Sequence, residues 1–349
     1  MIATTRMVVA SNIAYTSELL FYSLIACLLY VVWYGSKRFY VHQLRDAARL
    51  PGPPSTPFIG NLLDISNMMT KNGSLLYRVH EEWKRLYGKT YGFFVGPRLF
   101  VIFEKLEDVQ EILVKQFSNF TDRQPMDFIH DSLKKALVNQ RGDRWRHQRS
   151  RISPAFTTRK LRSMTAPVSA KTSILAESLE SYADVDEEFD ILRAYQCLTL
   201  DVIAQVAFDL PSSCQSDPND IFLAHASRFF QEMPNPEKCP PMAISLLFPE
   251  LASLCEYFHR KTSDSGQSEA WLIQKLRAGI NRRIEHPEPD RIDLISLLLP
   301  QDTTGIDEQT VDTVVANCFA FLLAGYETTS TSLSFATWLL AKNQDTQDI

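Results

Sequence analysis

The sequence predicts a mainly α protein with one small β-sheet near its N-terminus, preceded by a single transmembrane helix. Three features carry that expectation: an apolar run at 19–34, two aromatic and β-branched stretches around Gly96-Pro97, and helical periodicity through most of the remainder. With 349 residues, 45% hydrophobic and 22% charged, the chain is globular in composition. Its net charge of −5 argues against a surface built to hold nucleic acid. The six cysteines, at 27, 197, 214, 239, 255 and 318, contain no Cys-x-x-Cys pair. Their spacing therefore signals neither a zinc site nor a disulfide framework.

The run from Leu19 to Tyr34, LLFYSLIACLLYVVWY, is interrupted only by Ser23. Extended back to Ile13 it reaches the roughly 20 residues that a bilayer span requires. The reading is a short N-terminal segment (1–12) and a transmembrane signal anchor (13–35). Tyr30, Trp33 and Tyr34 fit an interfacial aromatic belt, and no small-x-small cleavage site ends the run. Arg6 precedes it, whereas Lys37, Arg38, Arg45 and Arg49 follow, which places the C-terminal body in the cytosol. Residues 36–57 then form a basic, proline-rich hinge with Pro51, Pro53, Pro54 and Pro57, read as a stiff spacer.

Leu75 to Tyr87 has helical spacing and stops at Gly88; Lys89–Val95 and Leu99–Phe103 predict a hairpin. Gly88-Lys89-Thr90 imitates the end of a phosphate-binding loop, but Trp83 stands where that motif needs glycine. Helical spacing returns over Leu106–Phe117. From Arg141 to Arg151 five arginines surround Trp145 and His147. On a helix, Trp145 and Arg149 are four apart and project from one face, an indole N–H and a guanidinium suited to a fixed carboxylate or phosphate. A solvated basic helix with a packed tryptophan has the same pattern.

The helical pattern continues from Ser163 to Asp209 with an acidic break at 184–188, and prolines at 234, 236, 240 and 241 mark loops. Met242–Phe248 is a short apolar segment. Trp271–Ile284 and Asp293–Leu299 read as helices, and 300–305 as a turn. Asp307 to Lys342 contains no proline and predicts one helix about 45–50 Å long. Its centre, Ala324-Gly325-Tyr326-Glu327-Thr328-Thr329, is poor in helix formers, which points to a functional interruption. The alternative is that Ala324 and Gly325 admit another helix while the hydroxyls bond back to the backbone.

Together, a membrane anchor with a proline hinge, Trp-x-x-x-Arg on a basic helix, and Ala-Gly-x-Glu-Thr-Thr in a long helix resemble a microsomal cytochrome P450. The stretches WRHQRSRISPAFTTRKLRSM (145–164) and FLLAGYETTS (321–330) are closest to the steroid- and drug-oxidising and thromboxane-synthase-like clan. The resemblance implies the cytochrome P450 fold over 58–349, represented by its N-terminal portion. It further implies haem as cofactor, with Trp145, Arg149 and Arg123 donating to propionates and Ala324 and Gly325 giving the haem clearance. Glu327 and Thr328 match the acid–alcohol pair that serves proton delivery to dioxygen. The implied activity is insertion of one oxygen atom into an apolar substrate (a steroid, fatty acid or xenobiotic), with electrons from NADPH through a flavoprotein reductase. Arg144, Arg146 and Arg151 would form a basic exterior for that acidic partner. The implied location is the endoplasmic reticulum membrane.

In that family a cysteine in a Phe-x-x-Gly-x-Arg-x-Cys-x-Gly loop ligates the iron, after a Glu-x-x-Arg helix. None of the six cysteines here has those neighbours, and Glu82-Trp83-Lys84-Arg85 lies too early. No metal ligand is assigned, and residues 58–349 are expected to be an incomplete catalytic domain, inactive as it stands. The competing expectation is a non-enzymatic, membrane-anchored helical protein that binds lipid or another protein.

Overall fold

The computed structural model describes residues 22–347, apart from 26–27, 38, 40, 42, 44, 47, 72, 74, 125–130, 186–187, 209, 211, 218, 233–238, 289–292 and 301–304. The structure divides into two compact units, 1–119 with 246–248, and 120–245 with 249–349.

In the first unit, α1 (Leu62–Lys71) and α2 (Leu76–Tyr87) accompany an antiparallel hairpin of β1 (Thr90–Val95) and β2 (Arg98–Phe103). The register pairs Thr90 with Phe103 and Val95 with Arg98, so the turn falls on Gly96-Pro97. Gly96 has φ +56° and Gly88, which ends α2, has φ +90°, conformations that glycine adopts without strain. Val79 and Trp83 of α2 meet Tyr91 and Phe93 of β1 in a small buried cluster. The proline-rich segment reaches the sheet through Gly92 N, which donates to Pro51 O at 2.8 Å, and just beyond the segment Phe94 N donates to Asn61 Oδ1 at 2.9 Å. The stiff path of its prolines thus serves as an extra edge against β1, where the sequence predicted only a spacer.

Of the anchor over 13–35, positions 13–21 and 26–27 fall outside the described residues, while 22–25 and 28–37 are helical and mostly exposed. Among the described residues one helix, Ile191–Phe208, is long and apolar enough to cross a membrane. It is a core helix, with Leu198, Leu200, Ala204 and Phe208 all buried.

The second unit is helical. Its main elements are α3 (Gly142–Ile152), α4 (Thr165–Asp184), α5 (Ile191–Phe208), α6 (Ile221–Glu232), α7 (Ala252–Thr262), α8 (Asp264–Glu285), α9 (Leu294–Leu298) and α10 (Glu308–Lys342). One buried cluster joins Leu200 and Phe208 of α5, Leu223 and Phe229 of α6, Leu272, Leu276 and Ile280 of α8, Ile295 of α9, and Val315, Phe319, Leu322 and Tyr326 of α10. Each such side chain contributes about 1.5–3 kcal/mol by leaving water.

Three helices escape the sequence pattern, α1, α6 and α7, and α8 begins seven residues earlier than Trp271. The first turn of α8, Asp264-Ser265-Gly266, reads as a loop but is capped by Ser263, whose Oγ accepts from Gly266 N at 2.9 Å. Gly266 is needed there, since a Cβ would lie 2.5 Å from Arg260 Cα. The long helix is as predicted in extent, with Asp307 capping Thr310 N at 2.7 Å. Its centre is not interrupted. The hydroxyls of Thr328, Ser332 and Ser334 donate to the carbonyls of Ala324, Thr328 and Ser330, and the helix runs through.

Candidate functional site

Asp122 Oδ1 accepts from Gly142 N at 2.9 Å, tying the segment at 121–124 to the first turn of α3. That hydrogen bond, set against the cost of desolvation, holds the Asp122 carboxyl below its ordinary range. Arg123 therefore stands at the N-terminal end of α3, exposed. Further along, Trp145 is half-buried and Arg149 is exposed on the same face.

The end of α3 leads into Ser153–Phe156, and Phe156 packs on Phe321 of α10 with ring centroids 5.5 Å apart. From Phe321 the positions 324 and 328 follow at i+3 and i+7, so all three share one face of α10. Ala324 and Thr328 are both exposed on it. The aromatic pair thus connects the helix bearing the cationic donors to the helix bearing the small residue and the hydroxyl. Thr328 Oγ1 donates to Ala324 O at 2.5 Å, which leaves its lone pairs to accept.

Gly325 and Glu327 turn toward α5. A Cβ at Gly325 would lie 3.1 Å from Ile203 Cδ1, so the missing side chain admits α5. Glu327 is half-buried and its Oε2 accepts from Gln196 Nε2 at 3.1 Å. Around it, Thr199 Oγ1 donates to Tyr326 O at 3.0 Å, and Tyr195 OH lies 2.7 Å from Thr337 Oγ1. Tyr326 is buried, its hydroxyl 3.1 Å from Ser227 Oγ, and burial pushes its pKa up to about 12. Arg149, Ala324 and Thr328 are exposed and Trp145 is half-buried; the nearby Phe156–Phe321 packing ties the segment after α3 to α10 without itself joining one pair to the other. Glu327 and Gly325 belong to the α5–α10 seam. Gln196 was not legible as Glu327's partner, because 131 residues separate them and no motif marks it.

Five cysteines are described, and all are buried. Burial pushes the thiols of Cys197, Cys214, Cys255 and Cys318 up, so none of these four offers a thiolate at neutral pH. Cys27 lies outside the described residues.

The family described as Cytochrome P450 matches residues 50–348. Thromboxane-A synthase of Macaca fascicularis is 30% identical over 93% of this chain and 64% of that protein. Cytochrome P450 3A6 of Oryctolagus cuniculus is 28% identical over 93% of this chain and 63% of its own length. Putative cytochrome P450 cyp-13B1 of Caenorhabditis elegans is 25% identical over 88% of this chain and 63% of its own length. The chain spans just under two thirds of these relatives. With the match covering nearly the whole described body, the chain belongs to the cytochrome P450 family.

Proposed function

We propose that these residues form the oxygen-side portion of a haem monooxygenase acting on an apolar small molecule. What supports this reading is the Phe156–Phe321 contact, which ties the segment following the Trp145 and Arg149 helix to the long helix that carries Ala324 and Thr328. Haem would supply dioxygen activation when bound. The donor chemistry fits it: Arg149 has no acid partner among the described residues, and a guanidinium with an indole N–H matches a propionate carboxylate. Arg123, held near the start of α3 by its neighbour Asp122, is a third donor for the same groups.

Ala324 keeps the adjoining surface free of bulk, and Thr328 presents a hydroxyl that accepts while bonded to Ala324 O and donates once that bond is released. Glu327, oriented by Gln196, would take up or return the proton that Thr328 handles. Electrons from NADPH through a flavoprotein reductase, and attachment to the endoplasmic reticulum membrane with the body in the cytosol, complete the proposal. The relatives' printed names, a thromboxane synthase among them, support an apolar substrate class without fixing its member.

Titration of the purified chain with haem, followed by Soret absorbance, tests the assignment. Saturable binding that weakens at least tenfold in the Trp145→Phe/Arg149→Ala variant is expected. Binding indifferent to both substitutions, or no binding, overturns it.

A further inference from the structure

A cleft of about 890 Å³ opens between α3 and the first turns of α10. From α3 it is lined by Arg144, His147 and Arg151, a stripe at i, i+3 and i+7. Arg144 and Arg149 are five residues apart, about 140° round the helix, so this stripe faces away from the carboxylate donors described above. Two of the three arginines expected to form a basic exterior, Arg144 and Arg151, are exposed and also line this concavity.

The charges in the cleft do not balance. Among the described residues Arg144, His147 and Arg151 have no acid partner. Of the acids in the lining, Asp143 pairs with Arg146 at 3.2 Å, and Asp307 keeps its charge but is turned to the N-terminal end of α10, where it caps Thr310 N. Lys135, also in the lining, is satisfied by Asp312 at 2.6 Å, and Asp312 also takes Arg277. The unneutralised charge lies beside an apolar patch of Ile152, Leu298 and Val314.

The volume falls in the range of small-molecule pockets, and the lining sorts into a stripe of two arginines with His147 between them and an apolar patch. Arg144 and Arg151 are separated by a rise of about 10 Å along the helix. A row of donors at that spacing, with His147 midway, suits a chain of two or three phosphates better than a single carboxylate. We propose that this cleft binds a phosphate-bearing small molecule of nucleotide size, its phosphates along Arg144, His147 and Arg151 and its organic portion over Ile152, Leu298 and Val314. This is independent of the haem reading, since it uses a different face of α3.

Calorimetric titration of the full chain in detergent, at fixed salt, tests the site with ATP, inorganic triphosphate and adenosine as probes. ATP is expected to bind saturably at one site, triphosphate more loosely and adenosine without measurable heat. The Arg144→Gln/Arg151→Gln variant should weaken ATP at least tenfold, while Arg159→Gln/Arg162→Gln, a basic pair outside the cleft, should leave it unchanged. All four side chains are exposed, and the melting profiles of both variants check that the fold is kept. Absence of saturable ATP binding, or equal weakening by both pairs, overturns the proposal.

Discussion

Gln196 Nε2 holds Glu327 Oε2 at 3.1 Å, so the acid of the long helix is oriented by a residue of α5. Replacing Gln196 by Leu leaves a half-buried carboxylate without its donor and is expected to cost about 1–2 kcal/mol in a denaturant titration. Glu327→Gln keeps an amide oxygen in the same place and should stay within about 0.5 kcal/mol of the parent. Equal costs for the two would mean that the pair is not what stabilises this position.

Gly325 sits against Ile203, and the sign of a substitution depends on how far that side chain can yield. An added methyl at 3.1 Å from Ile203 Cδ1 opposes the gain of about 1 kcal/mol that alanine brings to a helix interior. Gly325→Ala should therefore change stability by less than about 1 kcal/mol. Gly325→Val should cost about 2–3 kcal/mol by overpacking, and Ile203→Ala should recover part of that loss in a double-mutant cycle.

Asp201 is buried and accepts from Ser212 Oγ at 2.5 Å and Cys214 N at 2.9 Å, with Lys171 at 3.6 Å. Burial alone would raise its pKa, but these donors and the lysine outweigh it and hold the carboxyl below its ordinary range. A depressed folded pKa means stabilisation that is complete above the unfolded value, about 4, and lost as pH falls through the folded one. Asp201→Asn should cost about 2 kcal/mol at pH 7, with the gap to the parent closing below about pH 4. Melting temperatures of both proteins between pH 3 and 7 would show a constant gap if the carboxylate plays no part.

Glu269 behaves in the opposite sense. Burial, reinforced by Glu256 and opposed by Arg260, raises its pKa to about 8. Its neutral form is favoured in the fold, so the parent loses stability as pH rises from the unfolded value, about 4.3, toward 8. Glu269→Gln cannot ionise, and its melting temperature should gain on the parent's steadily between pH 5 and 8. A pH-independent difference would mean that the carboxyl reaches solvent.

The sequence disclosed most of what local chemistry decides. Gly88, the Gly96-Pro97 turn and the Asp307 cap fixed element ends because each is a local requirement of the backbone. The face shared by Trp145 and Arg149 followed from spacing alone. What escaped were relations between distant segments. The α8 start was hidden because Gly266 is present for the approach of α7, a tertiary reason that composition reads as a loop. Gly325 looked like clearance for a ligand and backs onto Ile203 for the same kind of reason. The cleft along Arg144, His147 and Arg151 needed the fold to supply its opposite wall.

The hydroxyls at the centre of the long helix have one further effect. Thr328, Ser332 and Ser334 give their protons to carbonyls of their own helix, at 2.5, 2.8 and 2.8 Å. Those carbonyls carry an internal solvation shell made of side chains. On the face shared by Thr328 and Ser332, these two hydroxyls can therefore lose water without being stranded, so a greasy molecule can lie against them at less cost than a stretch rich in oxygen suggests.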